Sequence, residues 1–247
     1  MADQIKVALL VGAGDAIGAG VARRFARGGY HVCVARREAS KSASLIDEIK
    51  TAGGNATVFS TDARDEVAVQ ALFSDIEGQI GPIEVCLFNA GANVAKPLLE
   101  TTDKLFFRVW QLGCYAGFLV GREATRHMMK RGRGTILFTG ATASLRGGKN
   151  FAAFSAAKFG LRAISQSMAR ELGPKSIHVA HLIVDGSVDS PEIHRRLKAD
   201  KGIDASTLPK DSMIQTSSIA EVYWYLAHQP RDAWTQELDL RPAAETW

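Results

Sequence analysis

The apolar run Val7-Ala8-Leu9-Leu10-Val11 passes directly into Gly12-Ala13-Gly14-Asp15-Ala16-Ile17-Gly18, with Gly20 two residues further on. The run reads as a buried strand, predicted over 5–11, and the apolar spacing after it reads as a helix over 16–28. Glycines between two such elements permit a tight turn and let a pyrophosphate approach backbone N–H groups at a helix N-terminus. Ordinary turns use glycine runs too. Placement between a buried strand and an amphipathic helix marks this one as a dinucleotide loop, with Gly12, Gly14, Asp15, Ile17 and Gly18 as its binding residues.

The same alternation continues outward. Strands are predicted over 30–36, 56–61, 83–88, 134–140, 177–184 and 237–240, and helices over 40–52, 65–79, 102–131, 150–173 and 218–228. This pattern predicts an α/β fold: one Rossmann-type doubly wound domain over 1–247, with a seven-stranded parallel sheet and helices on both faces. Ligands of such sheets bind beyond the carboxyl ends of the strands, where the winding reverses. Functional residues are therefore expected after strands one, two, four, five and six. The segment 187–216, interrupted by Pro191, Gly202 and Pro209, is expected to be an irregular substrate lid. Its five basic and five acidic residues balance, so the small-molecule substrate is expected to be uncharged or weakly polar.

Composition narrows the function classes. The chain has 247 residues, 46% apolar and 23% charged, which excludes disorder and fibrous architectures. Its net charge of +4 is spread along the chain, so no nucleic-acid partner and no polybasic membrane patch is expected. No run approaches the roughly 20 apolar residues of a membrane span. Cys33, Cys86 and Cys114 lack metal-ligand spacing and read as small buried hydrophobes, so no metal is expected. The opening Met1-Ala2-Asp3-Gln4 lacks the features of a signal peptide, and a cytoplasmic protein is expected.

The second strand ends Val34-Ala35-Arg36-Arg37-Glu38. A carboxylate at this point would accept from a ribose 2′-hydroxyl, whereas arginine pairs with a 2′-phosphate. Arg36 and Arg37 therefore predict NADP(H) in preference to NAD(H). Asp15 counts against a phosphate, and a solvated arginine pair is the competing reading.

With these residues in place, the sequence resembles the short-chain dehydrogenase/reductase family over almost its whole length. Gly12 and Gly18 match the ends of its Gly-x3-Gly-x-Gly loop from the first glycine onward, with Ala16 at the middle glycine and Val11 at the usual threonine. Asp62-Ala63-Arg64-Asp65 is similar to Asp-Val-x-Asp, whose first aspartate holds adenine. Asn89-Ala90-Gly91 is similar to the end of Asn-Asn-Ala-Gly, with Phe88 at its first asparagine, and Asp185-Gly186-Ser187-Val188 stands at Pro-Gly-x-Val, the stretch that holds the nicotinamide carboxamide. The resemblance thus implies Asp62, Ala63, Asn89, Ala90, Gly91, Gly186 and Val188 as cofactor contacts.

The family's catalytic positions depart from its pattern. Phe154-Ser155-Ala156-Ala157-Lys158 aligns with Tyr-x3-Lys, and thirteen residues upstream Ala141 stands at the serine. Gly113-Cys114-Tyr115-Ala116-Gly117 aligns with Val-Asn-x-x-Gly and puts Cys114 at the asparagine. Only Lys158 is retained, which the resemblance implies as a ligand of the nicotinamide ribose. Phenylalanine offers no proton, a loss of roughly 10²- to 10⁴-fold in acid-base help, and alanine offers no donor to a developing oxyanion, roughly 10²- to 10³-fold. Thr142, Ser144, Ser155 and Tyr115 are the neighbouring hydroxyls that could substitute. His178 and His181 alternate along a strand and read as structural.

Two functions stay open: an NADP(H)-dependent oxidoreductase with an altered or substrate-assisted proton donor, and a catalytically silent dinucleotide-binding relative with a sensing or assembly role. The resemblance also implies a homodimer or homotetramer through helices 102–131 and 150–173. Leu105, Phe106, Val109, Phe118, Met128, Phe151, Phe159 and Met168 exceed what one sheet face is expected to hide.

Overall fold

Strands that are apolar on both faces must be covered on both. In the structure, a computed structural model that describes residues 5–245, every side chain of β1 (Val7–Val11) and β6 (Ile177–Val184) is buried. The expectation drawn from Met1-Ala2-Asp3-Gln4 lies outside the described residues. With β2 (His31–Arg36), β3 (Asn55–Ser60), β4 (Ile83–Phe88), β5 (Gly134–Ala141) and β7 (Glu237–Leu240) they form one parallel sheet in the order β3-β2-β1-β4-β5-β6-β7. Leu9, Phe88 and Phe138 face α3 (Glu66–Gln79), α5 (Ala116–Arg131) and α6 (Ala152–Leu172). Leu10, Val34 and Leu182 face α1 (Ile17–Arg27), α2 (Ala43–Thr51) and α8 (Thr216–Ala227). Each such buried leucine or phenylalanine stabilises by about 1.5–3 kcal/mol.

Two expectations are corrected. The helix expected over 102–131 is two, α4 (Asp103–Trp110) and α5, joined by a π turn at Gln111–Tyr115. The turn and the start of α5 pack closely on α6. A Cβ on Gly113 would lie 3.0 Å from Ala157 Cβ, one on Gly117 would lie 2.4 Å from Leu161 Cδ1, and one on Gly160 would lie 2.6 Å from Cys114 Sγ. The segment expected to be irregular contains α7 (Pro191–Lys201). Ser190 caps it by accepting from the Ile193 N–H at 3.4 Å, Pro191 sits at its first turn and Glu192 favours the positive helix end. Read as a breaker, Pro191 concealed a helix start.

Among the apolar residues expected to exceed the monomer's needs, Val109 and Met128 are in its own core, at 3% and 0% exposure. Phe106, Phe118 and Phe159 remain exposed, as does Phe107, which was not among those expected. No helix among the described residues is long and apolar enough to cross a membrane.

Candidate active site

β1 and β4 are neighbours from which the chain winds in opposite directions, and beyond their C-terminal ends lies a cavity of about 740 Å³. Of the site residues expected from the sequence, all but Gly18 and Cys114 line it. Gly12 has φ +78°, and a Cβ there would lie 2.6 Å from the backbone of Ala90, so the first and fourth strand turns touch. Asn89 reinforces this contact: its N–H donates to Val11 O (2.9 Å) and its Nδ2 to Gly12 O (3.3 Å). Gly14 faces open space, with nothing within 4 Å of where a Cβ would lie. Gly18 lies behind the loop, where a Cβ would be 2.4 Å from Ala13 Cα; it serves packing. No side chain caps α1, in contrast to α3, whose first turn is capped by Asp65. Uncapped N–H groups above a turn without side-chain bulk fit a pyrophosphate.

At the end of β2, Arg36 Nη1 donates to Asp15 Oδ1 (2.9 Å) and, at 3.4 Å, to Lys41 O and Ser42 Oγ. Asp15 thus occupies part of the arginine that a 2′-phosphate would use, although its own side chain is 79% exposed. Asp62 is gripped by Arg64 through Nε (2.9 Å) and Nη2 (2.5 Å), and that hydrogen bonding holds its carboxyl below the usual range.

At the opposite end, beyond β5, the lining is largely apolar, with Thr139 and one amine among it. Ala141, Phe154 and Leu112 line it, and Lys158 reaches it from α6 with Nζ donating to Thr139 O at 2.7 Å. Burial lowers the Lys158 pKa to about 8. Cys114 faces Gly160 in a small core with Val109 and Phe154, and burial pushes its thiol up. The four candidate hydroxyls also stand outside the lining. Thr142 donates to Asp185 (2.6 Å), Ser144 Oγ accepts from the Ala141 N–H (3.2 Å), and Tyr115 stacks between Trp110 and Phe118. Ser155 is buried with its hydroxyl unpartnered.

His178 bonds Thr235 O (2.8 Å) and stacks on Trp234. His181 is fully buried; desolvation lowers its pKa to about 4 despite Glu237 at 3.0 Å. Asp185, at the family's proline position, is a buried carboxylate. Burial pushes its pKa up, but Thr142 (2.6 Å), Arg241 (3.1 Å) and Arg146 (3.4 Å) outweigh this and keep it below the usual range. Not named as site residues from the sequence were Thr139, Asn93 and, within the segment expected to be a lid, Pro191, Glu192, Ile193 and Arg195 of α7, all of which line the cavity. The signal for the last was present in Ser190-Pro191-Glu192.

Residues 6–201 match the family model for short chain dehydrogenase. The chain belongs to the short-chain dehydrogenase family. It is therefore of the short-chain oxidoreductase type, a family that binds a nicotinamide dinucleotide and acts on small molecules. It is 30% identical to a hydroxynaphthalene reductase-like protein of Metarhizium acridum, over 93% of this chain and 90% of the relative. A short-chain dehydrogenase from Rhodopseudomonas palustris is similar in structure, with a TM-score of 0.82 and 47% identity, covering 96% of this chain and 98% of that one. An actinorhodin polyketide ketoreductase variant with NADPH superimposes with a TM-score of 0.87 at 25% identity, covering 96% of each chain. Within this short-chain dehydrogenase, Ala141, Phe154 and Lys158 line one cavity.

Proposed function

We propose that this short-chain dehydrogenase is a cytoplasmic, NADP(H)-dependent reductase of small, uncharged or weakly polar carbonyl or conjugated substrates, working with an atypical proton donor in a single domain. The observation that carries the reading is the continuity of one cleft from Arg36 and Arg37, past the glycine turn, to Lys158 and the apolar Ala141–Phe154 wall. The cofactor when bound supplies the hydride. Around it, the uncapped start of α1 would hold the pyrophosphate, Arg36 and Arg37 the 2′-phosphate, Asp62 and Ala63 the adenine, Asn89, Ala90 and Gly91 the strand-four side, and Gly186 and Val188 the carboxamide. The names of the hydroxynaphthalene reductase-like relative and of the NADPH-bound ketoreductase support this class.

The silent reading is favoured by one observation, that Thr142, Ser144, Ser155 and Tyr115 all lie outside the cavity lining. Titration with NADPH followed by stopped-flow absorbance over a panel of aldehydes, diketones and enones separates the two. Oxidation of bound NADPH by any panel member is the expected result; tight binding without oxidation by any of them supports the silent reading. Exposed Phe106, Phe107, Phe118 and Phe159 on α4, α5 and α6 support a homodimer or homotetramer. Light scattering at micromolar concentration is expected to exclude a monomer.

A further inference from the structure

A carbonyl reductase must deliver a proton to the substrate oxygen as well as a hydride to its carbon. Few groups near Ala141 and Phe154 can give one. Neither of those two side chains carries an exchangeable proton, and the neighbouring hydroxyls stand outside the cavity lining. Thr139 and Asn89 do line it, but Thr139 Oγ1 is bonded to Tyr223 (2.7 Å) and Asn89 Nδ2 to Gly12 O. Lys158 differs from all of these. An ammonium carries three N–H bonds; among the described residues Nζ gives one to Thr139 O and has no carboxylate in ion-pairing range, so that with one given to the nicotinamide ribose, as the family resemblance implies, one is left for a substrate oxygen. It lies on the cavity wall, 3.4 Å from where a side chain on Gly91 would begin and 5.9 Å from the centre of the Phe154 ring.

We propose that Lys158 is itself the proton donor, passing a proton from Nζ to the oxygen of a carbonyl substrate held against Ala141 and Phe154. The assignment rests on the reductase reading. As the substrate carbon accepts hydride from reduced nicotinamide, the two-electron donor, the C=O π pair moves onto oxygen and takes the Nζ proton. Alcohol and neutral amine result, and a solvent proton entering through the cleft restores the ammonium.

The surroundings suit this role. With its pKa lowered by burial to about 8, the amine is protonated at neutral pH and releases its proton more readily than an exposed lysine. From β6 it is faced by His181, which burial keeps neutral, with Glu237 and Arg162 paired behind that ring (2.6 and 2.8 Å). Tyr223 on α8 connects through Thr139, and Cys114 of the π turn lies beyond Ala157; burial raises both of their pKa values. None of these titrates where Lys158 does.

The test uses the full chain, NADPH and small aldehydes and diketones. Turnover is expected to be level below about pH 8 and to fall about tenfold per unit above it, as a single essential acid requires. Reductive methylation of Lys158 with formaldehyde and cyanoborohydride, read on its peptide by mass spectrometry, is expected to show its inflection at the same pH. Lys158→Met is expected to lower kcat by about 10²-fold or more, and Lys158→Arg, which keeps the charge but cannot release it, to lose as much. Adding Phe154→Tyr to Lys158→Met is expected to recover activity, with the inflection moved toward the phenol range near about 10. NADPH fluorescence reports folding and cofactor binding in each variant. Turnover independent of pH while Lys158 titrates in the labelling overturns the assignment and leaves the reductase reading standing, as does wild-type kcat in either lysine variant. NADPH binding without turnover of any substrate overturns both.

Discussion

The two ends of the cleft are built from different materials. The end beyond β2 and β3 is lined by charged side chains, Arg36, Arg37, Lys41 and Asp62, and the glycine turn between the ends presents backbone. The end beyond β5 is lined mainly by Ala141, Phe154 and Leu112, with Thr139 and one buried amine. Recognition by backbone and several charges is distributed, so loss of one partner weakens it in degree. Proton transfer depends on single atoms, and removing one oxygen from a side chain of almost unchanged shape changes the chemistry while leaving the packing as it was.

The sharpest way to break the contrast is to add an oxygen at each of Ala141 and Phe154. The double variant Ala141→Ser, Phe154→Tyr is expected to gain reductase activity on small aldehydes or diketones by about 10²-fold over wild type, the scale of a positioned acid and an oxyanion donor. Steady-state NADPH consumption measures it. The stability cost stays small if the new hydroxyls find water, and reaches about 1–3 kcal/mol if they are buried unpaired. A folded, NADPH-binding double variant without gain would mean that the reaction end differs by more than two oxygens.

Within the glycine turn itself, two alanines are expected to act differently. Gly12→Ala forces a side chain into the left-handed region and against Ala90, costing about 1–3 kcal/mol. That lowers the melting temperature by roughly 2–4 °C per kcal/mol in a chain of this size. Gly14→Ala meets no neighbour and is expected to leave melting unchanged while weakening NADPH binding, since its methyl enters the cleft. Calorimetry and cofactor titration on both variants separate the two effects.

At the charged end, wild type is expected to prefer NADPH over NADH by about 1–3 kcal/mol, a charge-assisted contact. Arg36→Ala narrows that gap, and Asp15→Asn widens it by releasing Arg36 Nη1. The Asp15 effect is the smaller because that carboxylate is largely exposed and its ion pair is screened. Equal affinities in wild type would remove the basis of the contrast at this end.

The smallest effect is a slope. His181 titrates near 4 in the folded protein against an ordinary value of 6.5, so between these limits the unfolded chain binds the extra proton. Its contribution to stability is fully present above about pH 6.5 and is lost as pH falls toward 4. His181→Asn is expected to flatten the pH dependence of urea midpoints over that window. An unchanged slope would mean that the ring is protonated in place.

How much could be read in advance follows from the range of the forces. β4 and β6 have the expected bounds because each mostly apolar run stops at a polar residue, Asn89 or Asp185, and β7 has them as an alternating Glu237-Leu238-Asp239-Leu240 that ends before Arg241. β1 begins two residues later than expected, at Val7, because Ile5 is exposed and lies outside the sheet. The order of site residues was legible because a doubly wound sheet brings the strand ends together whatever lies between them. α7 was misread because Pro191 is both a breaker and a favoured first helical residue, and the choice depended on Ser190 reaching the Ile193 N–H.

The sequence by itself determined the alternation of strands and helices, the glycine turn, the pair of arginines after β2 and the residues Cys114, Ala141 and Phe154. These are properties of residue type and spacing, which act over a few bonds. Only the tertiary structure decided that Cys114 turns into the packing of α6, that Asp15 sits on Arg36, and that Thr142, Ser144, Ser155 and Tyr115 stand off the cavity while Lys158 remains on its wall. Those outcomes depend on which elements pack face to face and on how closely glycines let them approach. Burial then lowers the amine's pKa, a property of the assembled interior that no local stretch of sequence contains.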